Sequence, residues 1–305
     1  MKIVVLSANL FWLNLIKYIL GNKLFKIDTL ITLDNNSTTI MYDWVEKNIF
    51  KSLLIKNKYF IDRIENEEKL IKKINPDLII VAWWRQIIPN YILSIPKYHF
   101  IWFHPTKLPQ WRWWAPIINS ILNNYTNSWV TLFKYTDQVD EWDIVFQEDF
   151  IINDTDYSKD IYTKMTISSF KILEKLWESI KYNKIIFYPQ KKEGVTYFDK
   201  INYKDNFIDD FSNSFNFMKK VRAFSIPYKW AYLFINKIKI ILFDLKIDNW
   251  NCFIINNVKI ENIDKITTII ENKDIKIIIL DYININYNTI KITSGYLYLK
   301  INYEK

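Results

Sequence analysis

Glycine is nearly missing from this chain. Its 305 residues include only 3 glycines, whereas average usage of about 7% would give roughly 21. The chain also contains 13 tryptophans, enough to make up most of that shortfall. Because glycine serves the turns that require a positive φ, its scarcity raises the question of which residues occupy such turns.

Cysteine and histidine are also scarce. The single cysteine, Cys252, excludes an internal disulfide and a multi-cysteine metal site, and with only two histidines we expect no zinc centre. This composition fits a reducing cytoplasm, which is the location we expect. Met1 leads directly into the strand-like run KIVVLS without a signal region. No apolar run approaches the roughly 18 residues of a membrane span, so we expect no membrane partner.

Charge and common motifs exclude little more. The net charge of +8 permits an anionic partner, but lysine is used throughout the chain and forms no basic block. The sequence contains no Walker A, HExxH or GxSxG motif, and its first turn, SANLFW, lacks glycine. Nucleotide-phosphate binding of the standard kinds is therefore unsupported.

Strand-like and helix-like segments alternate over residues 1–188. Apolar runs predict strands at Lys2–Ser7, Lys26–Leu33, Ser52–Ile55, Leu78–Ala82, Phe100–His104, Val130–Tyr135 and Ile144–Phe150. Helical spacing predicts helices at Leu10–Leu20, Thr39–Asn48, Ile61–Ile74, Ile87–Leu93, Pro116–Leu122 and Ser158–Tyr182. This alternation predicts the α/β class, with a mostly parallel, Rossmann-like sheet that has helices on both faces.

The pattern changes after Tyr188. Pro189–Gly194 is typical of a linker, Phe211–Phe224 predicts a helix, and short alternating strands follow from Tyr232. We therefore predict one domain over residues 1–188, and a linker helix with a small, mainly β domain over residues 189–305.

His104 is a candidate catalytic residue. It ends an apolar strand and precedes Pro105, and ligand sites of open α/β sheets lie at the carboxyl ends of strands. A histidine there suits a general base, because its ordinary pKa of about 6.5 lies near working pH. A structural histidine that is hydrogen-bonded at a turn would give the same pattern, and position alone does not separate the two interpretations.

Four segments in order carry a more specific pattern. They are PDLIIVAWWRQIIP (76–89), FHPTKLPQWRWWAPI (103–117), NSWVTLFKYTDQVDEWDIVFQ (127–147) and RAFSIPYKWAYLF (222–234). Together they resemble the motifs of the N10-formyltetrahydrofolate-dependent formyltransferases. That family includes nucleotide-sugar N-formyltransferases, methionyl-tRNA formyltransferase and glycinamide ribonucleotide formyltransferase. The resemblance also implies that the tail from Tyr232 is an OB-like second domain of the kind the first two classes share and the third normally lacks.

The resemblance implies the catalytic residues. His104 matches the general base for the attacking amine, and Asp140 matches the aspartate that orients this histidine. The family has an asparagine two residues before the histidine, whereas this chain has Trp102. The co-substrate would be N10-formyltetrahydrofolate, without a metal. Its implied binding residues are Gln86, Ile87, Ile88, Arg112, Trp114, Thr136, Asp137, Gln138 and Val139.

The acceptor implied by the resemblance is a primary amine on a nucleotide-linked amino sugar. Methionyl-tRNA is the alternative, although Leu33–Lys47 is short and not basic where the tRNA enzyme carries a basic insertion. A third alternative is an inactive relative that binds folate or a sugar nucleotide, because Trp102 replaces the expected donor. The sequence leaves a homodimer open.

Many tryptophans stand where the family motifs have glycine. They are Trp12, one of Trp83 and Trp84, Trp111, Trp113, Trp114, Trp129, Trp142 and Trp230. The codon UGA specifies tryptophan in some bacteria and glycine in others, so our hypothesis is that many of these positions are glycine. It predicts positive φ or solvent exposure at several of them. A chain that is truly rich in tryptophan, with aromatic packing surfaces, is the alternative.

Overall fold

The computed structural model describes residues 1–35, 37, 45–135, 143–202, 204–209, 214–235, 238–247, 252–262, 267–270, 275–278, 285–293 and 296–303. The chain divides into two compact units. The first comprises Met1–Pro116, Tyr125–Ile152 and Ile161–Lys200, and the second comprises Ile117–Asn124, Asn153–Asp160 and Ile201–Lys305. In the described parts, no helix combines the length and the hydropathy needed to cross a membrane.

The first unit is built on a seven-stranded sheet. Its described strands are β1 (Ile3–Leu6), β2 (Thr29–Leu33), β3 (Asn57–Ile61), β4 (Leu78–Ala82), β5 (Phe100–His104), β6 (Arg112–Trp113), β7 (Asn127–Tyr135), β8 (Ile144–Ile151) and β9 (Tyr197–Phe198). The main sheet has the order β3-β2-β1-β4-β5-β7-β8, and β6 pairs with β9 separately. The five neighbouring strands β3, β2, β1, β4 and β5 are parallel to one another, whereas β7 runs antiparallel to both of its neighbours, β5 and β8. The predicted mostly parallel sheet is confirmed.

Helices connect the strands in the expected alternation. They are α1 (Leu10–Gly21), α2 (Lys47–Lys51), α3 (Glu68–Ile74), α4 (Asn90–Leu93), α5 (Pro116–Leu122), α6 (Ser158–Lys181) and α7 (Ser214–Ala223). The N-terminus of α1 is capped by Asn9, whose side-chain oxygen accepts a hydrogen bond from the Trp12 backbone N–H at 2.9 Å. Helix α5 begins at Pro116 because proline fits the first turn of a helix.

Alternate residues of the central strands form one hydrophobic core. Val4 and Leu6 of β1 point to the same face of the sheet as Ile79 and Val81 of β4, since side chains two apart in a strand share a face. Ile71, Ile74, Ile92 and Leu93 from α3 and α4 cover this face. Burying each such side chain contributes about 1.5–3 kcal/mol, so these contacts fix α3 and α4 on the sheet.

Three predicted elements differ from the structure, and one of them is the helix predicted over Ile87–Leu93, which begins only at Asn90, after Pro89. Ser52–Ile55 is not a strand but the turn after α2, and Leu54 is 93% exposed there. The strand is Asn57–Ile61, which pairs in parallel with β2 as a sheet edge and needs little burial. The helix predicted over Ile61–Ile74 begins only at Glu68, because Ile61 still belongs to β3. Most of the Thr39–Asn48 prediction lies outside the described residues.

The second unit is mainly β after α7. Its described strands are β10 (Tyr232–Ile235), β11 (Ile238–Ile247), β12 (Cys252–Asn262), β13 (Thr267–Ile270), β14 (Ile275–Ile278), β15 (Ile285–Thr293) and β16 (Tyr296–Tyr303). Strands β10 to β13 form an antiparallel sheet in that order, β14 also pairs with β12, and β15 pairs with β16. The C-terminal end of α7 is held by a hydrogen bond of 2.6 Å from the Ser158 hydroxyl to the Ala223 carbonyl oxygen.

Candidate active site

His104 lies at the carboxyl end of β5. Because β1, β4 and β5 are neighbouring parallel strands, their carboxyl ends meet at one edge of the sheet. The His104 side chain is 7% exposed. Its ring packs edge-on against Phe133 of β7, with ring centres 6.3 Å apart and an angle of 87° between the rings. The histidine is therefore fixed at the edge where ligands bind in such sheets.

The loop after His104 is held by two side chains from β7 and β8. The Thr131 hydroxyl donates a hydrogen bond to the Thr106 carbonyl oxygen at 2.6 Å. The Gln147 amide nitrogen donates to the Leu108 carbonyl oxygen and to the Thr131 hydroxyl oxygen, each at 2.9 Å. Each such bond contributes about 0.5–1.5 kcal/mol, so the pair anchors the loop that follows the candidate base.

Sequence reasoning assigned no role to Thr131 or Gln147. Both were nevertheless visible, since they lie in the third motif, NSWVTLFKYTDQVDEWDIVFQ. What the sequence did not contain is the pairing of β7 with β8, which places Thr131 opposite Gln147. We refer to these two residues as the loop clamp.

Trp102 points to the same face of β5 as His104, because the two residues are two apart in a strand. Its indole stacks on the ring of Tyr135, with centres 4.5 Å apart and an angle of 22°. It is partly buried and packs against the core that α3 and α4 cover. The position at which the resemblance implies an amide donor is thus occupied by a stacked aromatic ring.

The predicted folate-binding segment after β4 is rigidly placed. The Gln86 side chain accepts a hydrogen bond from the Ile64 N–H at 2.9 Å and donates one to the Asp62 carbonyl oxygen at 2.7 Å. Ile88 is buried in the core, whereas Ile87 is 83% exposed. Gln86 and Ile88 therefore position this segment from within, and Ile87 is the side chain that it presents outwards. Its contact with folate stays a prediction.

Arg112 lies in β6 with its side chain buried. One of its guanidinium nitrogens donates to the Gln190 side-chain oxygen at 3.0 Å, and its backbone N–H donates to the Thr196 carbonyl oxygen at 2.9 Å. Trp114 is half-exposed, and the Lys200 ammonium group lies 5.2 Å from the centre of its ring. The segment after the His104 loop is thus fixed by residues about 80 positions later in the chain.

The remaining predicted site residues lie outside the described residues. They are Asp140 and the folate-binding candidates Thr136, Asp137, Gln138 and Val139. The structure brings together His104, Trp102 and the loop clamp, and the predicted partnership of His104 with Asp140 stays a prediction. Over the described ranges, no group of three or more His, Cys, Asp or Glu side chains is placed to hold a metal ion.

Comparison with known proteins identifies the family. A family model described as formyl transferase matches residues 1–175. The bifunctional polymyxin resistance protein ArnA of Wigglesworthia glossinidia brevipalpis is 32% identical over 231 residues, which cover 75% of this chain and 35% of that protein. The methionyl-tRNA formyltransferase of Ehrlichia ruminantium (strain Welgevonden) is 32% identical over 176 residues, or 58% of this chain and 55% of that protein. The chain therefore spans between about a third and about half of the length of these curated relatives.

Solved structures share the fold. The N-formyltransferase from Helicobacter canadensis, in complex with folinic acid and dTDP-3-aminofucose, has a TM-score of 0.60 at 22% identity, covering 89% of this chain and 99% of that one. At this identity the likeness supports the Rossmann-like architecture and leaves the substrate open. The family model covers more than half of the residues and includes the strand that carries His104. The chain belongs to the formyl transferase family.

Proposed function

We propose that this protein transfers a formyl group from N10-formyltetrahydrofolate to the primary amine of a nucleotide-linked amino sugar. The observation that carries the proposal is the position of His104. It lies within the family match, at the carboxyl end of β5, and is followed by a loop that Thr131 and Gln147 anchor.

The chemistry needs one base and one site for an oxyanion. The amine nitrogen of the acceptor attacks the formyl carbon, and His104 accepts the proton that the amine gives up. The bond between the formyl carbon and N10 then breaks. N10 takes a proton and leaves with tetrahydrofolate, while the acceptor becomes a formamide. The oxyanion of the tetrahedral intermediate requires hydrogen-bond donors in fixed positions.

The proposal gives Asp140 the role of orienting His104, and the length of the chain between described residues allows it. Tyr135 pairs with Phe100, at the opposite end of β5 from His104. Four residues of strand separate these two levels, or about 13 Å. The five residues from 136 to 140 span up to about 17 Å when extended. The chain length after Tyr135 therefore permits Asp140 to contact the histidine.

Trp102 supports a second candidate, an inactive relative that binds folate or a sugar nucleotide. Its ring is stacked on Tyr135 where an amide donor is expected, and loss of one oxyanion donor lowers a rate by about 10²–10³. A Trp102→Asn variant separates the two functions. If the unaltered protein is inactive and this variant gains activity, the unaltered protein is the binder. If both transfer formyl groups, another donor serves the oxyanion.

The choice of a sugar acceptor over tRNA rests on residues 33–47, which lack the basic character that tRNA binding requires. The second domain is expected to be OB-like in both classes and does not discriminate between them.

The test measures tetrahydrofolate release from N10-formyltetrahydrofolate. The purified protein is offered a panel of dTDP- and UDP-linked amino sugars and, separately, charged initiator tRNA. We expect release with at least one sugar and none with tRNA, and the reverse result would assign the tRNA function. His104→Asn should remove the activity, whereas the matched variant of the other histidine, His99→Asn, should keep it. Full activity in His104→Asn would refute the proposed base.

The finer assignments are part of the same proposal. We predict a catalytic domain over residues 1–188 and a linker helix with an OB-like domain over residues 189–305, although the first compact unit continues to Lys200 and includes β9. We propose that the protein acts in the cytoplasm. A homodimer stays open, and light scattering on the purified protein decides it. Expression of residues 1–188 and of residues 1–200 tests the domain boundary, because only the longer fragment contains β9, the partner strand of β6. Cooperative unfolding of both fragments would support a boundary at residue 188, and unfolding of the longer one alone would move it beyond β9.

A further inference from the structure

Three tryptophans have a backbone that suits glycine. The φ angles of Trp83, Trp111 and Trp113 are 48°, 58° and 82°. Residues with a side chain have only a small allowed region near φ of +50° to +70°, and the Trp113 value lies beyond it. A left-handed backbone disfavours an ordinary residue by roughly 5- to 30-fold in population. Glycine has no Cβ and occupies this region without that penalty.

The other left-handed positions make the contrast sharper. Among the described residues, Asn75, Asn124, Asn183 and Gly194 also have positive φ, and asparagine and glycine are the types that tolerate it. The remaining examples are one lysine, one histidine and one alanine. Tryptophan is thus as frequent as asparagine at these positions, although its bulky side chain does not form the local hydrogen bond with which asparagine offsets the strain. The chain meanwhile contains only 3 glycines.

Neighbouring tryptophans behave as ordinary tryptophans. Trp84 follows Trp83 directly, is 4% exposed and belongs to the hydrophobic core. Trp12 is fully buried within α1, and its ring packs edge-on against Phe103. Trp114, next to Trp113, has no positive φ although both are 49% exposed. Left-handed backbone is therefore not shared by every tryptophan, and within residues 111–115 it alternates, at Trp111, Trp113 and Ala115.

We propose that the natural protein carries glycine at positions 83, 111 and 113, because UGA codons there are decoded as glycine. Trp84 is a true tryptophan, which decides between the two members of that pair. The φ argument does not extend to Trp12, Trp114, Trp129 or Trp230, which lack a positive φ, and Trp142 lies outside the described residues. The proposal does not depend on formyl transfer. With glycine on both sides of Arg112, the backbone there would be open to close approach by a ligand.

The direct test is peptide mass spectrometry on the protein isolated from its own cells, together with the codons of its gene. We expect the residue mass of glycine at positions 83, 111 and 113, the residue mass of tryptophan at position 84, and UGA codons at the first three. Tryptophan masses or UGG codons at those three positions would overturn the proposal.

A matched pair of variants tests the conformational argument. Trp113→Gly and Trp114→Gly each remove an indole of equal exposure from adjacent positions, and only the first has a positive φ. We expect Trp113→Gly to raise the folding equilibrium constant about fivefold or more. Trp114→Gly should lower it, because glycine adds entropy to the unfolded chain. Equal effects of the two substitutions in urea unfolding would contradict the argument.

Discussion

Removal of the Gln147 amide should leave the fold intact but change the position of His104. Gln147→Leu deletes the hydrogen bonds to the Leu108 carbonyl oxygen and to the Thr131 hydroxyl, both 2.9 Å long. At about 0.5–1.5 kcal/mol each, their loss lowers the free energy of unfolding by about 1–3 kcal/mol. The fold survives this loss, because the core beneath β1, β4 and β5 does not involve Gln147.

The larger effect should fall on the rate of the reaction. Displacement of a catalytic group by about 1 Å costs on the order of 100-fold, so kcat for formyl transfer should fall by roughly that factor while KM changes little. Thr131→Ser keeps the hydroxyl and should retain activity, whereas Thr131→Val loses the bond to the Thr106 carbonyl oxygen and should resemble Gln147→Leu. Urea unfolding and initial rates are measured on the same preparations. Unchanged kcat in a Gln147→Leu protein with the expected loss of stability would show that the clamp does not position the base.

Two further perturbations follow from the described contacts. Burial, together with the nearby Lys134 ammonium group, lowers the pKa of His99, although Asp143 opposes the shift. Neutral His99 is thus favoured in the folded state, so its contribution to stability is complete above about pH 6.5 and is lost as pH falls below that value. Asparagine tolerates the local φ of 67° at position 99. As the pH falls from 7 to 5, the stability of the His99→Asn variant in thermal melts should therefore increase relative to that of the unaltered protein. A difference between the two proteins that does not vary with pH would contradict this assignment. Gln86→Leu removes both hydrogen bonds to the segment after β3 and should weaken folate binding, as measured by calorimetry. Substitution of the exposed Ile87 by Val should leave the fold unchanged. Equal folate affinity in the unaltered protein and in both variants would refute the positioning role of Gln86.

The elements that the sequence predicted best are those with purely local causes. Phe100–His104 was found with its correct ends because an apolar run stops at a histidine and a proline. Pro116 likewise marks the start of α5. The strand predicted at Ser52–Ile55 was wrong because a short apolar stretch does not reveal whether a neighbouring strand is available for pairing. Asn57–Ile61 pairs with β2 instead.

The sequence predicted which residues belong to the candidate site better than it predicted how they are arranged in space. His104 was identified by its place in the chain and by the resemblance of its motif. The loop clamp depends on hydrogen bonds between residues 16, 25 and 39 positions apart, which no local pattern contains. The stack of Trp102 on Tyr135 depends on the pairing of β5 with β7. The sequence therefore shows that tryptophan replaces the asparagine, but not where its ring packs.

The pairing of β6 with β9 has a consequence for the order in which this protein is made. Trp111 and Arg112 are anchored to Thr196, about 85 residues later in the chain. During synthesis on the ribosome, the seven-stranded sheet is complete once β8 has emerged, but the segment beside the His104 loop still lacks its partner strand. That segment acquires its final hydrogen bonds only when residues 190–198 follow. A nascent chain that is released before this point would hold a finished sheet and an unfinished site.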